Sequence, residues 1–187
     1  MEVSKEEFET IYRDHYHKIQ SFIYNLTGNW AMTEDLTQET FVKALKEIDS
    51  VRDNSRLCVW LNRVAYNLFI DLKRKKGSYT VPIDSSDMGK LVTIDLNPHK
   101  PIEQKIMSEC VHQKLLLLSE TYRVPLYLDM QGYSNQEIAI TLNCTLANVK
   151  IRLHRARKKI KEILDKECSF YFDERNVLCC VPIEEST

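Results

Sequence analysis

Three of the six cysteines lie within the last 20 residues of the chain, Cys168, Cys179 and Cys180. Adjacent thiolates can bind soft metal ions such as zinc or copper, and grouped thiols can form a redox disulfide. Their spacing does not match the paired CxxC ligands of structural zinc sites. No cofactor is required, and two interpretations stay open: a metal or redox site, or a hydrophobic hairpin that packs on the preceding domain or docks on a partner. The other cysteines fall at helical or turn positions that suit small apolar fillers: Cys58, Cys110 and Cys144.

A second group of side chains is suited to binding nucleic acid. Ser134 and Glu137 form a capping box that predicts a helix start, and Asn143–Thr145 predicts a tight turn before a basic helix. Two short helices joined by such a turn can place side chains in a major groove, where Asn pairs with adenine, Arg with guanine, and Lys neutralises phosphate. The same geometry also occurs as a simple packing corner. The candidate polar residues at the turn and on the helix are Ser134, Thr145, Asn148, Lys150, Arg152, Arg155 and Lys159.

Charge is segregated along the chain, although its formal total is only -1. Residues 52–76 carry a net +5 and residues 149–166 a net +6, whereas residues 1–49 carry -5. Two basic segments on predicted helices indicate two contacts with a polyanion. No Ser-His-Asp set, glycine-rich phosphate loop or HExxH helix is present, so the sequence does not indicate an enzyme.

The elements that must position these residues are predicted to be helices. Only 4 Gly and 5 Pro occur, and the longest aliphatic run, Leu115–Leu118, is far too short to span a membrane. We therefore expect a cytoplasmic, all-α protein of two small helical domains joined by a flexible linker. The predicted helices cover residues 7–27, 32–48, 57–75, 102–118, 122–130, 134–142 and 146–166, and a β-hairpin is predicted from 169–172 and 177–181. The predicted divisions are residues 1–76, a linker at 77–101, a second domain at 102–166, and the tail at 167–187.

Within the second predicted helix, Thr33 is the expected N-cap, and the residues expected to face inward are Leu36, Phe41, Val42, Leu45 and Ile48. Trp60 is in phase with Val64 and Leu68, which favours a core position over a stacking role.

Two stretches together resemble the extracytoplasmic-function (group 4) sigma factors of bacterial RNA polymerase. The first is DLTQETFVKAL (35–45) followed by WLNRVAYNLFIDLKRKK (60–76); the second is YSNQEIAITLNCTLANVKIRLHRARKKIKEIL (133–164). They are similar to regions 2.2, 2.3 with 2.4, and 4.2 of that family, in the family's order. The resemblance covers residues 7–166 and implies an alternative sigma factor that directs promoter-specific initiation.

The resemblance also implies partners. The D-L-x-Q-E-x-F helix of the family docks on the β′ clamp of core polymerase, and the β flap is a further expected contact. Short members are usually held inactive by an anti-sigma factor, so such a partner, or control by the cysteine tail, is expected. Neither membrane insertion nor an obligate homo-oligomer is expected. The positions carried over for polymerase binding are Asp35, Gln38, Glu39 and Phe41.

In the family, the region matching residues 49–76 melts promoter DNA and captures the -10 element as a single strand. Flipping a base costs a few kcal/mol, which pocket hydrogen bonds and phosphate contacts must offset. The positions expected to make those contacts are Arg52, Asn54, Arg56, Arg63, Asn67, Lys73, Arg74, Lys75 and Lys76.

Residues 134–158 resemble the family's reader of the -35 duplex. Ala147 and Asn148 stand where the family often has Gly-Thr, and Asn143 stands where Gly is common. These departures leave the preferred -35 bases open. Two rival functions also remain: a stand-alone helix-turn-helix regulator that binds DNA as a homodimer, and an adaptor that holds polymerase without reading DNA; a metal-dependent nuclease is more distant.

Overall fold

The first helix, α1 (Lys5–Thr27), begins at a complete capping box and ends at a glycine. The Ser4 hydroxyl accepts a hydrogen bond from the Glu7 N–H, and the Glu7 carboxylate accepts one from the Ser4 N–H. Gly28 terminates the helix in the left-handed region (φ 64°), where a side chain would be strained. The computed structural model describes residues 4–48, 56–76, 110–172, 174 and 178–183.

Helix α2 (Trp30–Glu47) begins two residues earlier than predicted. Its N-cap is Asn29, whose side chain accepts from the Met32 N–H, and not Thr33. Thr33 is buried, and its hydroxyl donates instead to the Asn29 carbonyl (2.7 Å) and lies 3.0 Å from the Thr27 hydroxyl. The early start therefore follows from a helix–turn contact that joins α2 to the end of α1.

Helix α3 (Leu57–Lys76) packs with α1 and α2 into a three-helix unit. Apolar side chains at helical spacing supply its core, and burial of each large one contributes roughly 1.5–3 kcal/mol. Trp60 is partly buried against this core, as its phase predicts. Representative core residues are Ile19, Phe22 and Ile23 of α1, Leu36, Phe41 and Ala44 of α2, and Leu61, Ala65 and Phe69 of α3.

The second half of the chain is a further helical unit. Residues 110–116 are helical (α4); α5 (Glu120–Met130), α6 (Asn135–Thr141) and α7 (Leu146–Glu167) follow. As predicted, α7 buries Val149, Leu153 and Ala156. The all-α fold class is therefore confirmed, while the predicted linker at 77–101 lies outside the described residues. None of the helices described here is long and apolar enough to cross a membrane.

A two-stranded hairpin ends the described chain. β1 (Cys168–Phe172) pairs antiparallel with β2 (Leu178–Pro182), and Phe170 is opposite Cys180. β1 starts at the residue that caps α7, so no described loop separates helix from strand. The hairpin predicted for the tail is present. β1 begins one residue earlier than predicted, and β2 is shifted by one residue, to 178–182 from the predicted 177–181.

The two helical halves share one continuous hydrophobic core. α1 packs on α5, and α3 packs on α6. Arg123 of α5 is only 5% exposed; its Nε donates to the Asn25 carbonyl of α1 (2.8 Å), and its Nη1 donates to the Leu116 and Leu118 carbonyls. A buried guanidinium thus joins the halves through hydrogen bonds to backbone oxygens, while burial lowers its pKa.

Candidate nucleic-acid interface

The turn between α6 and α7 has the predicted helix-turn-helix geometry. The Ser134 hydroxyl accepts from the Glu137 N–H (3.3 Å) and donates to the Glu137 carboxylate (2.7 Å). Asn143 adopts a left-handed conformation (φ 48°), which the short Asn side chain tolerates. The Thr145 hydroxyl caps α7 by accepting from the Asn148 N–H (3.2 Å). Ser134 and Thr145 are both exposed, so their capping role leaves them accessible at the surface.

Polar side chains on α7 occupy the flanks of its buried stripe. Asn148, Arg152, Arg155 and Lys159 follow a 4, 3, 4 spacing, which places them on one flank of the helix, whereas Lys150 falls on the other. Arg155, Lys159 and Lys150 are exposed; Asn148 and Arg152 are half-buried. The Lys159 ammonium lies 5.5 Å from the centre of the Tyr122 ring.

Sequence reasoning missed an apolar residue on the outward face of this helix. Ile151 is 52% exposed, one turn from Ala147. Apolar side chains in a major groove contact the methyl group of thymine, and Ile151 has the exposure that such a candidate requires. Its helical position opposite the buried stripe was the available signal. Arg157, by contrast, pairs with Asp129 (2.7 Å) and supports the packing of α7 on α5.

The described -10 candidates on α3 are exposed, except for Lys73, which is half-buried. Arg63 and Asn67 are exposed, as are Arg74 and Lys75, and Arg74 lies 3.7 Å from Asp71. Lys73 forms an ion pair with Glu120 of α5 (2.9 Å), so a phosphate must displace that partner to reach it. Arg52, Asn54 and the side chain of Lys76 lie outside the described residues.

One cleft brings together two DNA-binding candidates from each group, Arg56 and Arg63 with Ser134 and Thr145. It has a volume of about 900 Å³ and lies between α3 and the α6–α7 turn. Arg56 and Arg63 line one wall, and Ser134, Asn143 and Thr145 line the other. A duplex docked at the turn would therefore have to share this cleft with Arg56 and Arg63.

Three hydrogen-bonding side chains hold α3 against the start of α6. The Asn62 amide donates to the Tyr133 hydroxyl (2.9 Å), and the Cys58 sulfur lies 2.8 Å from the same oxygen. Burial, together with the Cys58 contact, raises the pKa of Tyr133, which keeps the phenol neutral. These contacts and the Lys73–Glu120 ion pair connect the two halves of the chain.

The candidate polymerase-binding residues of α2 separate into a surface stripe and a core residue. Asp35 and Gln38 are exposed, and Val42 and Leu45 continue their stripe at 56% and 58% exposure. The inward orientation expected for Val42 and Leu45 is therefore wrong. Glu39 is exposed beside the stripe.

Phe41 requires a correction as a contact residue. It is 4% exposed, with its ring centre 4.8 Å from that of Tyr12 and 6.0 Å from that of Tyr16. In this structure it cannot reach a partner, and its aromatic packing on α1 fixes the orientation of the α2 stripe instead.

The tail cysteines meet a residue that the sequence did not group with them. The sulfur atoms of Cys168 and Cys180 lie with that of Cys110 on α4, all within 4.8 Å of one another. Burial raises the pKa of the Cys168 thiol to about 11, with a further contribution from Cys110. The side chain of Cys179 lies outside the described atoms. Cys110 had the sequence signature of a small apolar filler, and only the tertiary fold shows its neighbours.

Comparison with known proteins identifies both halves of the chain. The family model for Sigma-70 region 2 matches residues 11–79, and the family model for Sigma-70 region 4 matches residues 108–160. The RNA polymerase sigma factor YlaC of Bacillus subtilis is 32% identical over 163 residues, covering 87% of this chain and 94% of YlaC. The ECF RNA polymerase sigma factor SigW of the same organism is 32% identical over 162 residues, covering 82% and 85% of the two chains.

A similar arrangement occurs in a solved structure. The sigma factor RpoE of Bartonella quintana, crystallised in complex with the anti-sigma factor NepR, superposes with a TM-score of 0.65 at 23% identity. The match covers 86% of this chain and 98% of RpoE. At this identity the comparison establishes a shared fold.

Proposed function

Because the chain belongs to the extracytoplasmic-function sigma factors of bacterial RNA polymerase, we propose that it binds core polymerase and directs initiation at a specific set of promoters. The observation that carries the DNA-reading part is the α6–turn–α7 unit, with its capped helix starts and a polar flank on α7. The protein's role is non-catalytic, and it acts in the cytoplasm, where polymerase and promoters are found.

Helix α2 supplies the surface for polymerase. Its exposed stripe combines Asp35 and Gln38 with the apolar side chains of Val42 and Leu45. A stripe that is apolar at one end and acidic at the other suits a basic, partly apolar partner helix, because burial of the apolar end supplies affinity and the charges set orientation. This is the surface that we assign to the β′ clamp; the second half of the chain is assigned to the β flap.

Helix α3 supplies contacts to the -10 strand. Arg56 and Arg63 border the cleft, and Asn67 follows Arg63 by one turn on the exposed side of the helix. Guanidinium groups can contact phosphates and stack on unpaired bases, which suits a melted strand. Lys73 joins this set once its ion pair with Glu120 opens.

We also propose that an anti-sigma factor holds the two halves of the chain in the packing observed here, which we call the closed form. In the B. quintana structure, a sigma factor of the same fold is bound to an anti-sigma factor. In the present chain, residues of both DNA-binding groups already face one cleft, so a partner that spans both halves would only need to stabilise that packing. The cysteine hairpin is the alternative means of control.

Multi-round transcription with purified core polymerase on a library of genomic fragments tests this function. New start sites that share spaced -35 and -10 sequences are expected only when the protein is added. Arg155→Ala should reduce those starts, whereas Lys161→Ala, an exposed change farther along the same helix, should not. Polymerase binding without new starts would favour the adaptor, and specific DNA binding without polymerase would favour the stand-alone regulator.

A further inference from the structure

Cys110, Cys168 and Cys180 come from three separate elements and converge at one end of the second helical unit. Their sulfur atoms all lie within 4.8 Å of one another. Cys168 is buried, and Cys110 and Cys180 are half-buried. The group therefore combines proximity with partial exclusion of water, which exposed surface cysteines lack.

The local structure explains why these sulfur atoms meet. Cys168 ends α7 and begins β1, so its position is set by the helix. Phe170, two residues along β1, projects from the same face as Cys168, and Cys180 is its partner in the pairing register. The Ile183 N–H donates to the Glu167 carbonyl (2.9 Å), which holds β2 to the end of α7.

Helix α4 is held to the same end of α7 by an ion pair. The Lys114 ammonium contacts the Glu167 carboxylate, and this hydrogen bond raises the pKa of Lys114. Lys114 lies one helical turn beyond Cys110 on α4, and Glu167 precedes Cys168. The ion pair therefore fixes the approach of Cys110 to the other two thiols.

We propose that these three cysteines bind one thiophilic metal ion, Zn²⁺ or Cu⁺, as thiolates. Soft sulfur ligands select these ions over Mg²⁺ or Ca²⁺. A zinc–sulfur bond of about 2.3 Å places ligating sulfur atoms about 3.8–4.0 Å apart. The observed separations thus need to contract by no more than about 1 Å, which side-chain rotation can supply.

The binding step is a simple exchange of protons for metal. Three metal–sulfur bonds form and three thiol protons leave to solvent, with no change of oxidation state when the ion is added as Zn²⁺ or Cu⁺. Three protein thiolates leave the fourth position of a tetrahedral zinc site to water. The bound ion would connect α4, the end of α7 and β2, and so fix the hairpin on the second helical unit.

Metal stoichiometry on the full-length protein tests this site. The chain is purified under reducing, oxygen-free conditions, stripped with a chelator, and titrated separately with Zn²⁺ and with Cu⁺, followed by gel filtration and elemental analysis. One ion per chain is expected for the unaltered protein. Co²⁺ added in place of Zn²⁺ should give a sulfur-to-metal charge-transfer band in the near ultraviolet.

Single substitutions then locate the ligands. Cys110→Ser and Cys180→Ser should each reduce the bound metal and the cobalt band, whereas Cys144→Ser, a half-buried thiol at the α6–α7 turn, should leave both unchanged. Cys180→Ser lies in the terminal hairpin, so it tests the site without disturbing the buried position of Cys168. Circular dichroism of each variant confirms that the helices are retained.

Several outcomes would overturn the proposal. Substoichiometric binding of both ions by the unaltered chain would do so, as would full binding by Cys110→Ser. Loss of binding in Cys179→Ser with full binding in Cys110→Ser would assign the ion to the tail alone. A disulfide between two of the three thiols, isolated from reduced protein after brief exposure to air and resistant to metal loading, would assign a redox role instead. Because none of these readouts uses transcription, failure here is distinguishable from failure of the proposed function.

Discussion

The Tyr133 hydroxyl is the contact through which the closed packing of the two halves can be weakened with least change. Tyr133→Phe removes the oxygen that accepts from the Asn62 amide (2.9 Å) and lies 2.8 Å from the Cys58 sulfur, while it preserves the ring. Asn62 is 3% exposed, so in the closed form its amide would be left without this hydrogen-bond partner. In the open form, water would take the place of the hydroxyl. An unsatisfied buried donor costs about 1–3 kcal/mol.

This cost predicts a measurable change in DNA binding. A shift of about 1.4 kcal/mol changes the closed-to-open ratio tenfold. If the open form alone accepts a duplex at the α6–α7 turn, the apparent Kd equals the intrinsic Kd divided by the open fraction. Tyr133→Phe should therefore tighten binding of the free protein to a -35 duplex by roughly tenfold as long as the closed form predominates.

Two assays measure this effect. Fluorescence anisotropy with a labelled duplex, carrying the -35 element found by mapping start sites, gives the apparent Kd. Energy transfer between dyes on α3 and α7 reports the separation of the halves without DNA. Tyr12→Phe, at an exposed aromatic of α1, is the control and should change neither.

A second substitution separates this mechanism from a general loss of stability. Replacing both polar partners by apolar groups is nearly neutral, so Asn62→Leu added to Tyr133→Phe should restore the closed form and the weaker binding. The reasoning is refuted if Tyr133→Phe leaves both the energy transfer and the Kd unchanged, or if the double variant binds DNA as tightly as the single one.

Three further predictions concern individual helices. Phe41→Ala should lower the free energy of unfolding by about 3–5 kcal/mol, whereas Leu45→Ala should change it by less than about 0.5 kcal/mol and weaken binding to core polymerase. Denaturant titration measures the first effect and a pull-down with core polymerase measures the second. The reverse pattern would restore Phe41 as a contact residue. Glu137→Gln should cost about 0.3–1 kcal/mol at neutral pH, because Gln keeps an acceptor for the Ser134 N–H but loses the negative charge at the helix N-terminus. Hydrogen bonds from Ser134 lower the pKa of Glu137 from its ordinary value, so this contribution is present at neutral pH and is lost as the pH falls through the folded-state pKa. A cost that does not shrink as the solution is acidified, or an equal effect of Glu162→Gln, would contradict this. Arg123→Met should lower the free energy of unfolding by about 2–4 kcal/mol, because buried carbonyls of both halves lose a charged donor. Arg74→Met, at an exposed site, is the control and should be nearly neutral. Equal melting curves of the two variants would argue against the role of Arg123 in joining the halves.

The helices could be predicted from the sequence because their apolar spacing, capping residues and turn residues agree. Ser134 and Asn143 are examples, since each side chain acts on backbone within a few residues of itself. The start of α2 differs from the predicted one because Thr33 has the side chain of an N-cap but turns it toward Thr27 and the Asn29 carbonyl.

The errors at Val42 and Leu45 have a different cause. Apolar spacing does not distinguish a side chain that packs within the protein from one that is exposed to a partner, so it predicts a core position for both. The convergence of Cys110 with Cys168, and the packing of α3 on α6, depend on contacts between residues more than 50 positions apart. Periodicity along one helix carries no signal for such contacts.

Because α7 continues directly into β1, a movement of the hairpin is transmitted to the DNA-reading helix. A helix of 22 residues is about 33 Å long. A tilt of about 5° at Cys168 would therefore displace the end at Leu146 by about 3 Å, close to the 3.4 Å rise of one base pair. A ligand that tilts the hairpin by a small angle would thus change the register between α7 and the base edges. Such a ligand would act from a site one helix length away from the DNA.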